Sequence, residues 1–300
     1  MRLARPSRTD LSLLSLAIVF ISLTAPLIAA TDAPPLAIAF WRCLLASAVL
    51  GVWVLARRRP ELLGLDRREW LLIAGAGVFL GAHFATWVPS LSFTSVASST
   101  ALVATQPVWA AVIARLRGYD VPAQSWLGIG IALVGVLFLT GVDATFDPRS
   151  LIGDGLALVG AMFAAAYVTV AERARSSVST VTMTFGLYGW AAAFILVVTL
   201  LFGQSLVGFG ATAWTLIITL TVVGQLLGHT LINRVLATTS AMFVSLAILF
   251  EMPGATVVAA LALRQFPPLG VLPAALLILV GIVVVIRSSR APEVIETAAA

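Results

Sequence analysis

The sequence predicts an all-α membrane protein with ten transmembrane helices in two inverted five-helix repeats. Three observations lead to this fold class. First, 60% of the 300 residues are hydrophobic and only 10% are charged, which is far more apolar than a soluble domain. Second, the apolar residues form runs of about 20, the length of a helix that crosses a bilayer core about 30 Å thick. Third, the second half of the chain repeats features of the first half at a fixed offset.

Ten apolar runs are long enough to cross a membrane. Each is predicted to be a helix, because unpaired backbone groups are costly in hydrocarbon. The runs lie at 11–30, 36–56, 70–90, 96–116, 122–141, 151–172, 181–203, 211–233, 239–263 and 267–286. The longest segment between them, RRRPELLGLDRRE, is too short for a soluble domain. For the first run a second interpretation stays open, since its arginines, apolar core and LIAATDA also resemble a secretory signal peptide.

The arginines give the expected orientation. All 18 basic residues are arginine, and arginine is enriched in the cytoplasmic loops of membrane proteins. Arg42 lies inside the second span and Arg149 and Arg264 in the opposite loops. The other fifteen share one side of the predicted spans: Arg2, Arg5, Arg8, Arg57, Arg58, Arg59, Arg67, Arg68, Arg115, Arg117, Arg173, Arg175, Arg234, Arg287 and Arg290. We therefore expect a multi-pass protein of the cell inner membrane with both termini in the cytoplasm.

Several function classes are excluded by residues that the chain lacks. Without lysine it forms neither a phosphate-binding P-loop nor a Schiff base. Its net charge of +5 comes from loop arginines, which argues against a nucleic-acid partner. Two histidines and a lone Cys43 make no metal-ligand cluster, so we expect no metal and no other cofactor, and Cys43 to fill space between helices. The aspartates, including Asp143 and Asp154, lie at span ends or in loops, which argues against an intramembrane aspartate-pair enzyme.

An internal repeat appears when the chain is shifted by 146 residues. The shift aligns five pairs: His83 with His229, Thr94 with Ser240, Pro107 with Pro253, Pro122 with Pro268, and Gly135 with Gly281. The predicted repeats are 1–145 and 146–300, the second ending in a short cytoplasmic tail. Because each repeat has an odd number of spans, the second copy enters the membrane inverted. Inverted repeats are typical of secondary transporters, whose sites lie near the midplane at interrupted helices.

Four stretches follow one another in a distinctive order: AFWRCLLASAVL, SLSFTSVASSTALVATQPVWAAVIA, LIGDGLALVGAMFAAAYV and TTSAMFVSLAILFEMPGATVVAALAL. With these four stretches in this order, the chain resembles the ten-span, EamA-like family of the drug/metabolite transporter (DMT) superfamily over nearly its whole length. The resemblance implies a substrate cavity between the two halves and, as in many members, export of amino acids or other metabolites. Gly118-Tyr119 and Arg264-Gln265 replace a Gly-Glu common in relatives, and Glu251-Met252-Pro253 replaces the usual Glu-Pro. More of the expected function therefore depends on Glu251.

Glu251 lies about 15–18 Å deep in the ninth span, near the midplane. A carboxylate there costs about 2.5–3.5 kcal/mol and is tolerated when it faces a cavity or a partner. Burial disfavours the charged form, so Glu251 is a candidate for proton coupling or for contact with a substrate amine. A structural role also stays open, in which the Glu251 carboxyl forms a hydrogen bond with a neighbouring helix or with backbone groups freed by Pro253. Pro253 and its repeat partner Pro107 are predicted to break their helices.

The other candidates for substrate binding or coupling are Arg42, His83, His229, Gln106, Trp109, Tyr167 and Tyr188. For Arg42 the alternatives are snorkelling to the outer face, a fixed bond between helices, and pairing with a substrate carboxylate or Glu251. The two histidines either relay protons or bond between helices. Gln106, Trp109, Tyr167 and Tyr188 are expected either to line a cavity or to pack between helices, and the same two alternatives apply to Trp190. Trp87 is instead expected to anchor the chain at the outer membrane interface.

Together these features predict a secondary active transporter that exports a small amino acid-like or drug-like metabolite by alternating access. Protons are the candidate coupling ion. A metabolite importer or a facilitative channel is the alternative, and an intramembrane enzyme or a non-transporting scaffold has less support. The expected partners are the substrate and the lipid bilayer, and the sequence leaves a monomer and a homodimer both open.

Overall fold

The computed structural model describes residues 7–118, 120–174, 177–235 and 247–288, and within them every side chain except those of 144, 233 and 286. Ser240, Arg2, Arg5, Arg175, Arg290, residues 239–246 of the ninth predicted span and the C-terminal tail lie outside these residues. In chain order the helices are α1 (Arg8–Ser22), α2 (Thr24–Ala29), α3 (Pro35–Arg57), α4 (Arg59–Gly64), α5 (Arg67–Ser90), α6 (Val96–Val103), α7 (Gln106–Leu116), α8 (Ala123–Phe146), α9 (Ser150–Ala174), α10 (Thr180–Leu201), α11 (Ala211–Leu220), a π-helix (Thr221–His229), α12 (Thr230–Val235), α13 (Glu251–Leu263) and α14 (Val271–Ser288).

Eight helices of the described chain are long and apolar enough to cross a membrane. They match the first eight predicted spans to within a few residues, which confirms an all-helical membrane protein over this part. The last two predicted spans contain the shorter apolar helices Glu251–Leu263 and Val271–Val285. The total of ten spans therefore stays a prediction.

A close helix pairing joins α5 and α9. Small residues on one face of α9 let the two backbones approach, as their spacing predicts. At Gly153 an added Cβ would lie 2.8 Å from the Ser90 carbonyl oxygen and from the Thr94 nitrogen. Ala157, Ala161 and Ala165 have no exposed surface. Cys43 is likewise fully buried in the apolar core, as expected.

Two spans are interrupted near the positions that the repeat aligns. In the fourth span α6 ends at Val103 and α7 begins at Gln106, with Pro107 as its second residue. In the ninth span a turn at 249–250 precedes α13, whose third residue is Pro253. Both prolines stand in a first helical turn, where the missing N–H has no intrahelical partner to lose. The described backbone is thus interrupted close to Pro107 and close to Pro253.

The eighth span differs from the regular helix that its apolar pattern predicts. Its middle is a nine-residue π-helix, Thr221–His229. Within it, an added Cβ on Gly224 would meet the Thr24 side chain and lie 3.7 Å from Arg42 Nη2. The Thr230 hydroxyl donates to the Gln225 carbonyl, five residues back, at 3.3 Å. The wider helix brings Gln225 and His229 toward the first three spans, and such segments often occur at functional sites.

Candidate functional site

A cavity of about 140 Å³ lies in the middle of the bundle. Its walls come from the first, third, fourth, sixth, eighth and ninth spans, so both halves of the chain contribute. The lining residues are Ile21, Thr24, His83, Phe84, Trp87, Thr100, Val103, Ala104, Gln106, Pro107, Tyr167, Val168, His229, Ile232, Ile248, Leu249, Glu251 and Met252. Apolar and aromatic walls with a few convergent polar groups are typical of small-molecule sites.

Residue pairs that the repeat aligns meet at this cavity. His83 and His229, 146 positions apart, both line it. Gln106 lines it from the break in the fourth span, and Glu251 lines it from the break in the ninth. Each interrupted helix therefore presents a polar side chain to the same space, which is the arrangement expected where two transporter repeats meet.

Glu251 begins α13 directly after the turn at Leu249 and Phe250. Its carboxyl lies among the cavity residues and close enough to Arg42 for their charges to interact. Within the described chain, however, the two make no ion pair within 4.0 Å. The Ser22 hydroxyl contacts the Glu251 backbone carbonyl at 3.5 Å. Glu251 thus faces the cavity with its side chain and the first span with its backbone.

His83 is held by a fixed bond between helices and also lines the cavity. Its Nδ1 donates to the Gly160 carbonyl of α9 at 2.9 Å. The neutral ring that carries this proton leaves Nε2 as an acceptor. The Trp87 indole stacks on the imidazole with ring centroids 5.5 Å apart. Trp87 is only 4% exposed, so the prediction that it anchors at the membrane interface was wrong.

Arg42 is completely buried, so the snorkelling interpretation was wrong. Its Nη2 donates to Gln225 Oε1 of the π-helix at 2.6 Å. Its guanidinium carbon lies 4.2 Å from the centre of the Phe84 ring, a cation–π contact. Phe84 lines the cavity, whereas Arg42 does not. Its role in this structure is a bond between helices, together with a positive charge behind His83, His229 and Glu251.

Three other sequence candidates do not line the cavity. Tyr188 is 2% exposed and packs in the core of the bundle. Trp109 donates from Nε1 to the Thr105 hydroxyl at 3.2 Å, within its own span. Trp190 is 45% exposed on the outside of the bundle. Of the aromatic candidates, Tyr167 does contribute to the cavity wall.

Sequence reasoning missed some polar groups of the cavity and did not predict that two aspartates are buried. Thr24 and Thr100 line the cavity, and their hydroxyls donate to carbonyls of their own spans at 2.7 Å. Each lies within one helical turn of a helix break. A polar residue next to a break is therefore the sequence feature by which they could have been identified. Asp143 and Asp154 lie at span ends, as predicted, but their side chains are buried, with 7% and 1% exposure.

Comparison with known proteins agrees with this architecture. The model of the EamA-like transporter family matches residues 10–141 and 151–287, so the matched motif occurs twice. A solved structure described as "Crystal structure of protein" is similar with a TM-score of 0.64 at 19% identity, over 95% of this chain and 100% of that one. At that identity the likeness concerns the fold alone. No curated protein is significantly similar to the chain.

The family match covers both halves of the chain, and the described helices are those of a multi-pass membrane protein. The chain therefore belongs to the EamA-like transporter family of the DMT superfamily, and it is a membrane transporter.

Proposed function

We propose that this transporter is secondary active and exports a small amino acid-like metabolite from the cytoplasm by alternating access, in exchange for protons. The observation that carries the proposal is the position of Glu251. It begins a broken helix and lines a cavity to which both halves of the chain contribute. A carboxylate in the apolar part of a membrane protein is costly, and in transporters such residues mark substrate or proton pathways.

The exchange of substrate for protons arises because the two compete for Glu251. Burial favours the protonated carboxyl, whereas an amine of the substrate favours the carboxylate. Proton and substrate amine therefore exclude each other at one group. When the cavity faces the more acidic outer side, Glu251 takes a proton and releases the substrate; when it faces the cytoplasm, the order reverses. Each cycle moves one proton inward for each substrate moved outward.

The size and walls of the cavity support a small substrate. Sites for drug-sized ligands have volumes of about 300–1,000 Å³, and this cavity has about 140 Å³. Trp87 and Phe84 offer aromatic surface, while the Tyr167 side chain and two imidazoles offer polar contacts. A metabolite with an amine and a compact apolar or aromatic body matches this lining. A drug-like substrate would need a wider conformation.

The proposed topology is ten spans in two inverted repeats, 1–145 and 146–300, in the cell inner membrane with both termini cytoplasmic. It is supported by the fifteen arginines on one side of the predicted spans. It is also supported by the helix breaks near aligned positions of the two halves. Since one chain lines the cavity, one chain suffices for the proposed site, in a monomer or in each half of a homodimer.

The test is proton-driven flux in proteoliposomes. A ligand is first selected from amino acids, nucleosides, polyamines and drugs by its effect on the thermal unfolding of the purified protein. Flux of the labelled ligand is then measured with and without a pH gradient, for wild type and Glu251→Gln. We expect a saturable flux that the gradient accelerates in wild type and that falls to the level of empty liposomes in Glu251→Gln.

The matched control is Glu172→Gln, the same chemical change at an exposed residue near the end of α9. This variant should transport like wild type. If Glu251→Gln keeps the wild-type rate and pH dependence, Glu251 is structural and the proton exchange is refuted. A flux that does not saturate and does not respond to pH would instead identify a channel.

A further inference from the structure

A second buried polar cluster lies beside the α8–α9 hairpin, and none of its members lines the cavity. Thr94 comes from the connection between α5 and α6. Asp143 stands in the last turn of α8, and Ser150 and Asp154 stand at the start of α9. We call these four residues the hairpin cluster.

The hairpin cluster holds polar atoms without partners. Asp154 is 1% exposed, Ser150 is 6% and Asp143 is 7%. Five buried oxygen atoms form no hydrogen bond of regular geometry with the described residues: Asp143 Oδ2, both carboxylate oxygens of Asp154, Ser150 Oγ and Thr94 Oγ1. Buried polar atoms in native proteins nearly always have a partner, so a group of such oxygens calls for a ligand.

The backbone brings these oxygens together. Ser150 and Asp154 are four residues apart and so share one face of α9. On that face Gly153 has no side chain, and the Thr94 backbone occupies the space, with its nitrogen 2.8 Å from where a Cβ would be. The Thr94 side chain lies beside both carboxylates and the Ser98 side chain beside Asp143, where each partly offsets the cost of the negative charge. Asp143 and Asp154 are close enough for their charges to repel each other.

No positive side chain compensates for this charge among the residues that the structure describes. The ion pairs found there join Arg58 to Glu61 and Arg115 to Asp120, not either member of the hairpin cluster. A buried carboxylate without a partner is costly, and two neighbouring carboxylates more so. Oxygen atoms of carboxylates and hydroxyls are the ligands that hard metal cations prefer.

We propose that the hairpin cluster binds a hard metal cation, Na⁺ or Ca²⁺, through the carboxylates of Asp143 and Asp154 and the hydroxyls of Thr94 and Ser150. Such a site uses neither histidine nor cysteine, which is why the search for those ligands in the sequence did not find it. Thr94 belongs to the first matched stretch of the family model and Asp154 to the second. The bound cation would therefore tie the two repeats together at this hairpin.

The experiment is thermal unfolding of the purified full-length protein at pH 7 in choline chloride, NaCl or CaCl₂ at equal ionic strength. We expect NaCl or CaCl₂ to raise Tm in a saturable way, by about 5 °C or more at saturation. The salt that acts at the lower concentration identifies the cation. The measurement needs no transported substrate, so its outcome is independent of the proton exchange proposed for Glu251.

Three variants make the test specific. Asp154→Asn should lose the cation-dependent rise in Tm, while Asp32→Asn, the same change at an exposed residue, should keep it. Ser150→Ala removes one uncharged ligand, so it should raise the half-saturating cation concentration by about tenfold. If Asp154→Asn does not fold, Ser150→Ala tests whether the cation binds at the hairpin cluster. The proposal is overturned if neither salt stabilises wild type, if Asp154→Asn responds like wild type, or if only a fall in pH stabilises the protein, which would identify a shared proton.

Discussion

Arg42 carries a full charge in the interior of the bundle with 0% exposure. Its hydrogen bond to Gln225 and its contact with Phe84 are the stabilising interactions that the structure shows. Its Nε and Nη1 have no hydrogen-bond partner within the described chain. Removing one partner of a buried charge leaves the other unpaired, which costs more than the bond itself contributes. Arg42 is therefore sensitive to changes at Gln225.

The corresponding prediction concerns Gln225→Leu, which has a similar side-chain volume and no acceptor. We expect it to destabilise the protein by about 1–3 kcal/mol, because a charged donor loses its partner. Thermal unfolding in one detergent measures the change. Gln124→Leu, the same substitution at an exposed position of α8, is the control and should leave Tm nearly unchanged. Equal Tm values for both variants would mean that the Arg42–Gln225 bond contributes nothing.

Single residues also show where sequence reasoning reaches its limit. Counting from the end of a span gives the depth of a side chain but not the direction in which it points. Trp87 was therefore assigned to the outer interface, and snorkelling to that face was one of the alternatives for Arg42, although both side chains are buried. Asp154 lies at a span end, as predicted, but its burial could not be read from that position. Glu251 and His83 were singled out as polar residues deep in their spans, and both lie at the cavity.

Among the helices, the α5–α9 contact depends on the absence of side chains. Gly153→Ala would place a Cβ 2.8 Å from the Ser90 carbonyl oxygen and the Thr94 nitrogen, both of which are backbone atoms that do not yield easily. We expect a loss of about 1–3 kcal/mol, as for other overpacked contacts. Gly155→Ala, two residues away, would meet nothing within 4 Å. Since alanine favours helix, this control should be neutral or stabilising. Thermal unfolding compares the two, and an equal effect would refute the close contact.

A link between the halves lies outside the membrane spans, at the start of α10. The carboxylate of Glu61 in α4 accepts hydrogen bonds from the Ser179 nitrogen at 2.7 Å and hydroxyl at 2.8 Å, and from the Thr182 hydroxyl at 3.0 Å. Partial burial acts to raise the pKa of Glu61, but these hydrogen bonds and Arg58 outweigh it and hold the pKa below its usual value. The folded state therefore favours the carboxylate, which contributes stability above the unfolded-state pKa of about 4.3.

We expect Glu61→Gln to lower stability by about 1 kcal/mol at pH 7, since the site is partly exposed. The difference from wild type should shrink as pH falls below about 4, where Glu61 itself becomes protonated. Thermal unfolding between pH 7 and pH 3 measures both effects, with Glu172→Gln as control. A difference that persists unchanged at pH 3 would show that the carboxylate charge is not what stabilises the contact.

Helix breaks were more predictable than helix type. Pro107 and Pro253 indicated the interruptions in the sequence, because proline removes a backbone hydrogen bond from the interior of any helix. The π-helix at Thr221–His229 had no such signal, since an apolar run of normal length is compatible with either helix. It depends on close approaches, such as that of Gly224 to Thr24, that only the folded bundle creates.

For the whole molecule, the sequence predicted the helical membrane fold and its two related halves, because apolar run length and repeat spacing are properties of the chain itself. The composition of the cavity wall was less accessible. Thr24, Thr100 and Phe84 meet there only after separate spans pack together. The aligned residues His83 and His229 show that repeat symmetry gives some of this information in advance.

The central claim is that substrate and proton share the Glu251 carboxyl in a cavity formed by both halves. Its most direct test is the rate of modification of Glu251 by a hydrophobic carbodiimide, which reacts with protonated carboxyls in apolar surroundings, measured by mass spectrometry in proteoliposomes. We predict that Glu251 is modified, that raising the pH slows the reaction, and that a saturating transported ligand slows it at least about tenfold. An unreactive Glu251, or a rate that ligand and pH leave unchanged, would contradict the claim.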